Sequence, residues 1–300
     1  MKRLAIFSLV LGAALAGLYL SQRSEKNAPV SSNALLNMAA DAQRDLARVP
    51  MQFTRLSDSE EVRIGDELAT RYAIQIQPSD AEDQALEKYA TRVGASVAVR
   101  AHRHLPYRFH VLPNASTVNA FSLPGGHVYV GKGLLNLMTT EDELANVLAH
   151  EVEHIDHFHC AERVQVEARL RKLKLDAVGA LVQIPLELWE AGYHKDEEME
   201  ADREGIRLAA LSGYSPYGAL SIFQRFAELH DEYVIHARSP EQELSELAIQ
   251  SMEGYFRSHP LPSERLAQAT NLIAQEHWQD RKAQRPFHVE YQTKNGQLVN

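Results

Sequence analysis

The chain has 300 residues, 45% of them hydrophobic and 24% charged, which is ordinary globular material able to bury one large core or two modest ones. A formal charge of −9 with no basic stripe excludes a protein built to neutralise nucleic-acid phosphates. The single cysteine, Cys160, excludes an intrachain disulfide and reads as a small buried residue.

Lys2 and Arg3 precede an uncharged run from Leu4 to Gln22, with small residues at Ala14-Leu15-Ala16. This pattern predicts a signal peptide or an N-terminal membrane anchor over 1–22, and with it export. Residues 23–56 read as a polar linker or helical arm. Caps, early acids and apolar spacing predict a helix from Ser57, and a second from Ser79 to Val99 after Pro78. "YRFHVLP" alternates as a strand does, and so does "GHVYV" behind the Pro124-Gly125-Gly126 turn. Thr140 and Glu143 have capping-box spacing, so 141–175 reads as one long helix or two in succession. Further helices are expected over 181–211, 216–237 and 262–274. Asn295-Gly296 predicts a small hairpin in the tail, 276–300. The fold class is α+β, mostly helical with one small sheet.

The chemistry concentrates at "HEVEH", residues 150–154. On a helix His150 and His154 share a face, and both imidazoles can reach one metal ion at about 2.0–2.1 Å. Glu151 is rotated away from that face, where it can act as base toward a water whose pKa zinc lowers to about 7. A catalytic zinc ion usually takes three protein ligands. His157 would lie about 10 Å along the axis from His150, too far for the same ion. No glycine reverses the chain before Cys160, so His157 and His159 are expected to be structural or solvent-facing. The third ligand must come from another helix, and "HKDEEMEADREG", 194–205, offers one. Glu198 and Asp202 are four apart. Glu198 can ligate while Asp202 accepts a hydrogen bond from a ligand histidine, although acidic runs are more often solvated helix faces.

Glu198-Met199-Glu200-Ala201-Asp202 resembles the E-x-x-A-D element that accompanies H-E-x-x-H in the zinc metalloendopeptidases of the HtpX, BepA and CAAX prenyl protease type 1 group, metallopeptidase family 48. "VNAFSLPGGHVYVGKGLL", 118–135, is similar to the stretch before the zinc helix in exported bacterial members, and "SHPLPSER", 258–265, to their H-P-x-x-x-x-R element. The resemblance covers about residues 57–275. It implies a zincin-like metallopeptidase domain over 57–275 of the gluzincin type, with one Zn2+ per chain. His150, His154 and Glu198 would be its ligands, Glu151 the general base, and Asp202 the group that orients a ligand histidine. His259 and Arg265 would lie near the cleft, where either could stabilise an oxyanion; His259 could instead occupy the open metal position and restrain the enzyme. "GHVYV" would be the edge strand on which an extended substrate lies. Glu153, an acidic addition to the motif, should face solvent.

The implied function is endopeptidase action on unfolded or misassembled cell-envelope proteins, in the periplasm or anchored to the inner membrane facing it. With one apolar run the chain departs from the multi-span members, and with only 276–300 after the last core helix it departs from those carrying a tetratricopeptide-like extension. The alternative is a non-catalytic, chaperone-like peptide-binding envelope protein with a structural zinc, in which His259 is the fourth ligand.

Overall fold

The computed structural model describes residues 56–73, 78, 80–170, 193–236, 262–292 and 298–299, all belonging to one unit, Thr54–Asn300. The expected signal or anchor, nearly all of the arm, the 181–192 part of the third helical region, the Asn295-Gly296 turn and His259 lie outside the described residues. No helix among the described residues is long and apolar enough to cross a membrane.

Helix α1, Asp58–Tyr72, starts at a capping box in which Ser57 and Glu60 satisfy each other's backbone N–H groups. It buries Ile64, Leu68 and Tyr72, spaced one turn apart. Helix α2, Ala81–Ala98, is capped by Asp80 and buries Leu86, Ala90, Val93 and Val97. Strands β1 (Arg108–Leu112), β2 (Ala120–Leu123) and β3 (His127–Gly131) form a sheet in the order β1-β3-β2. β1 runs parallel to β3 and β2 antiparallel to it, with Phe109 opposite Val128 and Phe121 opposite Tyr129.

"GHVYV" is therefore the central strand and not the edge. Both its sides are paired and all five residues of β3 are buried, so its backbone groups have no room for a peptide. The edges are β1 and β2, and β2 packs against the helix that carries "HEVEH". The short "AFSL" of β2, buried throughout, lacks the alternation that marks a strand exposed on one face.

After the short α3, Lys132–Asn136, comes α4, Glu141–Asp156. Its N-terminus has the expected box, with Thr140 accepting from the Glu143 N–H and Glu143 accepting from the Thr140 N–H. Leu144, Ala145, Leu148, Val152 and Ile155 are wholly buried, and α4 packs on α2, β2, α6 (Lys195–Leu211) and α7 (Tyr217–His236). Among the described residues, 141–170 holds two helices: α5, His159–Leu170, begins after a turn at His157 and Phe158. Phe158 adopts φ 64° without glycine's freedom. The Arg103 guanidinium lies 3.9 Å from its ring centroid and holds it there. Glu153 is buried, contrary to its expected exposure. The turn brings His157 Nδ1 within 2.8 Å of its carboxylate, which compensates the charge.

Helix α8, Pro262–Gln275, packs on α6 and α7. The segment beyond it crosses the start of α4: Glu141 N–H donates to the Arg285 carbonyl and Phe287 N–H to the Thr139 carbonyl. The chain closes with the expected hairpin, β4 (Tyr291–Gln292) antiparallel to β5 (Leu298–Val299).

Helices α4 and α6 meet closely at Gly205, where a Cβ would lie 2.9 Å from both N and Cα of His150. In an open helix Gly→Ala stabilises by about 1 kcal/mol. Here Gly205→Ala is expected to destabilise by roughly 1–3 kcal/mol, because the added methyl meets backbone. Denaturant unfolding checks the sign, and a more stable variant would show that the helices are not in contact there.

On the sheet, His110 Nε2 lies 3.1 Å from His127 Nδ1, and His127 Nε2 lies 2.8 Å from Asp66. Burial, with His127 and Arg108 beside it, lowers the His110 pKa from 6.5 to about 4. The unfolded chain thus binds a proton that the folded one refuses, so stability is present above pH 6.5 and lost as pH falls toward about 4. Between pH 7 and pH 5, chelator-treated His110→Gln should lose less stability than the wild type by roughly 1–2 kcal/mol in urea unfolding. Equal losses would assign the dependence to other groups.

Candidate active site

His150 and His154 project from the same face of α4 with their Nε2 atoms 3.1 Å apart. From α6, Glu198 brings Oε2 to 3.4 Å from His150 Nε2 and Oε1 to 3.6 Å from His154 Nε2. A tetrahedral ion with bonds near 2.1 Å holds its donors about 3.4 Å apart. The triangle is thus the size of one face of such a shell, and the three residues are a group able to hold a metal.

Charge supports the same reading. Glu151, Glu198 and Asp202 are 2%, 0% and 2% exposed, and Arg265 is 3% exposed. Three buried carboxyl groups thus share one guanidinium, a concentration of acidic groups away from water that a cation would balance. Burial by itself lowers the His150 pKa, but hydrogen bonds that the ring donates to Asp202 and Glu198 outweigh it and raise it to about 10. Burial pushes the Glu151 carboxyl up to about 7, against the lowering effect of His150 and of a hydrogen bond from Ser122 on β2. Glu151 is thus a stronger proton acceptor than an exposed carboxylate.

The outer contacts hold each donor. His150 Nδ1 lies 2.9 Å from Asp202 Oδ1. Asp202 is in turn gripped by Arg265, whose Nε donates to Oδ2 at 2.7 Å and whose Nη2 donates to Oδ1 at 2.5 Å. Burial would raise the Asp202 pKa, yet the Arg265 charge and the His150 hydrogen bond bring it below the ordinary carboxylate value. The Arg265 guanidinium also stacks over Phe223 of α7 at 4.3 Å. Its fork therefore ties α8 to α6 beside the donor triangle. Arg265 also lines an apolar pocket together with His150, Glu151, Ile206, Ile222 and Phe223.

Two residues of the site carried no role in the sequence reading. Tyr193 stacks on His154 with ring centroids 4.0 Å apart, its backbone N–H donates to Glu198 Oε1 at 3.0 Å, and its hydroxyl lies 3.0 Å from Cys160 Sγ. Of the two places expected for His159, structural or solvent-facing, it takes the buried one at 4% exposure, and its Nδ1 is 2.9 Å from Nδ1 of His154. The turn at Phe158 sets that contact. The nine-residue spacing from His150 was visible, but a positive φ at a phenylalanine was not. Cys160 is free and fully buried, as expected.

A family model described as Peptidase family M48 matches residues 81–273, which include all of these side chains. The chain is 29% identical over 242 residues to the Beta-barrel assembly-enhancing protease of Escherichia coli (strain K12), covering 73% of this chain and 45% of that protein. It is 28% identical over 211 residues to the protein of the same name from Yersinia pestis, covering 64% of this chain and 40% of the relative. Against the Mitochondrial metalloendopeptidase OMA1 of Schizosaccharomyces pombe it is 33% identical over 136 residues, 43% of this chain and 40% of the relative. The chain thus spans less than half the length of these relatives. Because the matched span encloses the triangle of donors and most of the helices that hold it, the chain belongs to peptidase family M48, a family of metal-dependent peptidases.

Proposed function

We propose that the chain is a zinc endopeptidase of the gluzincin type, with His150, His154 and Glu198 as ligands and Glu151 as general base. The observation that carries this reading is the buried donor triangle on α4 and α6 with Glu151 one residue from His150. Two neutral imidazoles and a carboxylate are a donor set that suits zinc. When bound, the ion would acidify a water and polarise the scissile carbonyl. Glu151 takes the proton of the attacking water and passes it to the leaving amine, a shuttle that its pKa of about 7 favours at neutral pH. Asp202 keeps a proton on Nδ1 of His150, so the other nitrogen is left to the metal. Arg265 holds Asp202, and from the wall of the same pocket its charge would favour a developing oxyanion.

An extended substrate would pair with β2, since that edge strand carries Ser122 against Glu151 and Ala120 in the wall of the pocket. Main-chain pairing tolerates varied sequences, which suits unfolded clients. The apolar run behind Lys2 and Arg3 supports export, and relatives named for enhancing β-barrel assembly support clients among misassembled envelope proteins.

Glu151→Gln is expected to keep one zinc per chain and to lose casein cleavage by about 10²-fold or more. A chelator should abolish wild-type cleavage and added zinc restore it. Undiminished cleavage by Glu151→Gln with zinc bound would refute the proposed base. Wild-type protein that binds peptides and holds zinc tightly but cleaves nothing would instead support the chaperone-like alternative.

A further inference from the structure

The two histidines of the donor triangle are backed by different chemistry. His150 leans directly on a buried carboxylate, Asp202. His154 leans on another imidazole, with the two Nδ1 atoms 2.9 Å apart. A contact of that length holds one proton between two ring nitrogens. If it belongs to His159, Nδ1 of His154 is the acceptor and the His154 proton sits on Nε2, pointing into the triangle and blocking a cation. If it belongs to His154, Nε2 of His154 carries a free lone pair. The far side of His159 decides between them. Its Nε2 lies 3.4 Å from Glu200 Oε2, and a carboxylate on that side favours N–H at Nε2 and with it a lone pair at Nδ1.

We infer that His159 is a positioning residue for the metal site: it accepts the Nδ1 proton of His154 and donates its own Nε2 proton to Glu200, which turns the Nε2 lone pair of His154 toward the cation. The chain of contacts leads from a fully buried ligand to a carboxylate that is 40% exposed. The fold supports this on three counts. His159 is the first residue of α5, and the turn at Phe158 is what carries it back beside His154. Its side chain is 5% exposed, so water does not replace the contact. Tyr193 stacks on the His154 ring and fixes its plane, which leaves the ring with a defined edge toward His159. His159 is not a ligand of the same ion, because its nitrogen faces the nitrogen of His154 that points away from Glu198.

This inference rests on the reading of His150, His154 and Glu198 as metal ligands, and its test separates the two. Zinc affinity is measured by competition with a chromophoric chelator in the full chain, with melting of the metal-free form as a control for folding. His159→Asn keeps an acceptor where Nδ1 stood and is expected to stay within about threefold of the wild-type affinity, while His159→Leu loses about 10–100-fold. Glu200→Ala, a change at a half-exposed position, should weaken zinc binding several-fold in the wild-type background but not in the His159→Asn background, where no ring tautomer remains to be set. Equal affinity of His159→Leu and wild type would overturn the inference. So would an equal effect of Glu200→Ala in both backgrounds, a comparison that holds even if His159→Leu fails to fold. A wild-type chain that binds no zinc would sink the metal reading itself.

Discussion

One carboxylate, Asp202, holds three helices in register. It sits on α6, accepts from His150 of α4 and is clamped on both oxygens by Arg265 of α8. Such a group is tolerated out of water only when its charge and its hydrogen-bonding capacity are fully met. Remove the guanidinium and the carboxylate becomes an uncompensated buried charge; remove the carboxylate and the guanidinium does. The arrangement therefore fixes where α8 lies against α6, and through His150 where α6 lies against α4. Gly205, one turn further along α6, allows the approach that these contacts require.

Helix α4 is held at its other end by unrelated means. The backbone beyond α8 pairs with residues 139–141, Arg285 N–H donates to Asp142 at 2.6 Å, and Arg225 of α7 pairs with the buried Glu143. Acidic side chains in the first turn thus serve both the helix dipole and the tertiary clasp. Between the two anchored ends α4 is buried nearly all round, and His150, Glu151 and His154, with Asn146 and Glu153, are a polar breach in a buried cylinder. A breach of this kind costs stability. It persists where the polar groups are satisfied by one another and by the ion that they can hold.

What could be read in the chain follows the range of the interactions. The His150–His154 pair on α4 and the Glu198–Asp202 pair on α6 are four-residue spacings, set by helical geometry alone, and both were legible. So were the capping boxes at Ser57 and Thr140, which are local hydrogen bonds. The contact of His159 with His154 depends on a left-handed phenylalanine held by Arg103, and nothing near position 158 announces that. The central place of β3 in the sheet has the same origin. "GHVYV" reads as a strand, but whether it lies at an edge is decided by which other segments pair with it. Glu153 escaped because the motif's polar face is solvated in an isolated helix and is covered here by the α4–α5 turn.

Strand β2 and Glu151 are not independent. Ser122 lies on β2 and hydrogen-bonds Glu151, while the same hydroxyl lies 3.5 Å from Cys160 Sγ, which in turn lies 3.0 Å from the Tyr193 hydroxyl. Tyr193 then returns to the donor triangle through its stacking on His154 and its N–H on Glu198. The sheet is thus linked to Glu151 through Ser122, with Cys160 as a close-packed, uncharged spacer whose thiol burial holds well above its ordinary pKa. The requirement at position 160 is for a small, weakly polar side chain that fills the space between a serine and a tyrosine, and this accounts for one buried cysteine in a chain with no disulfide.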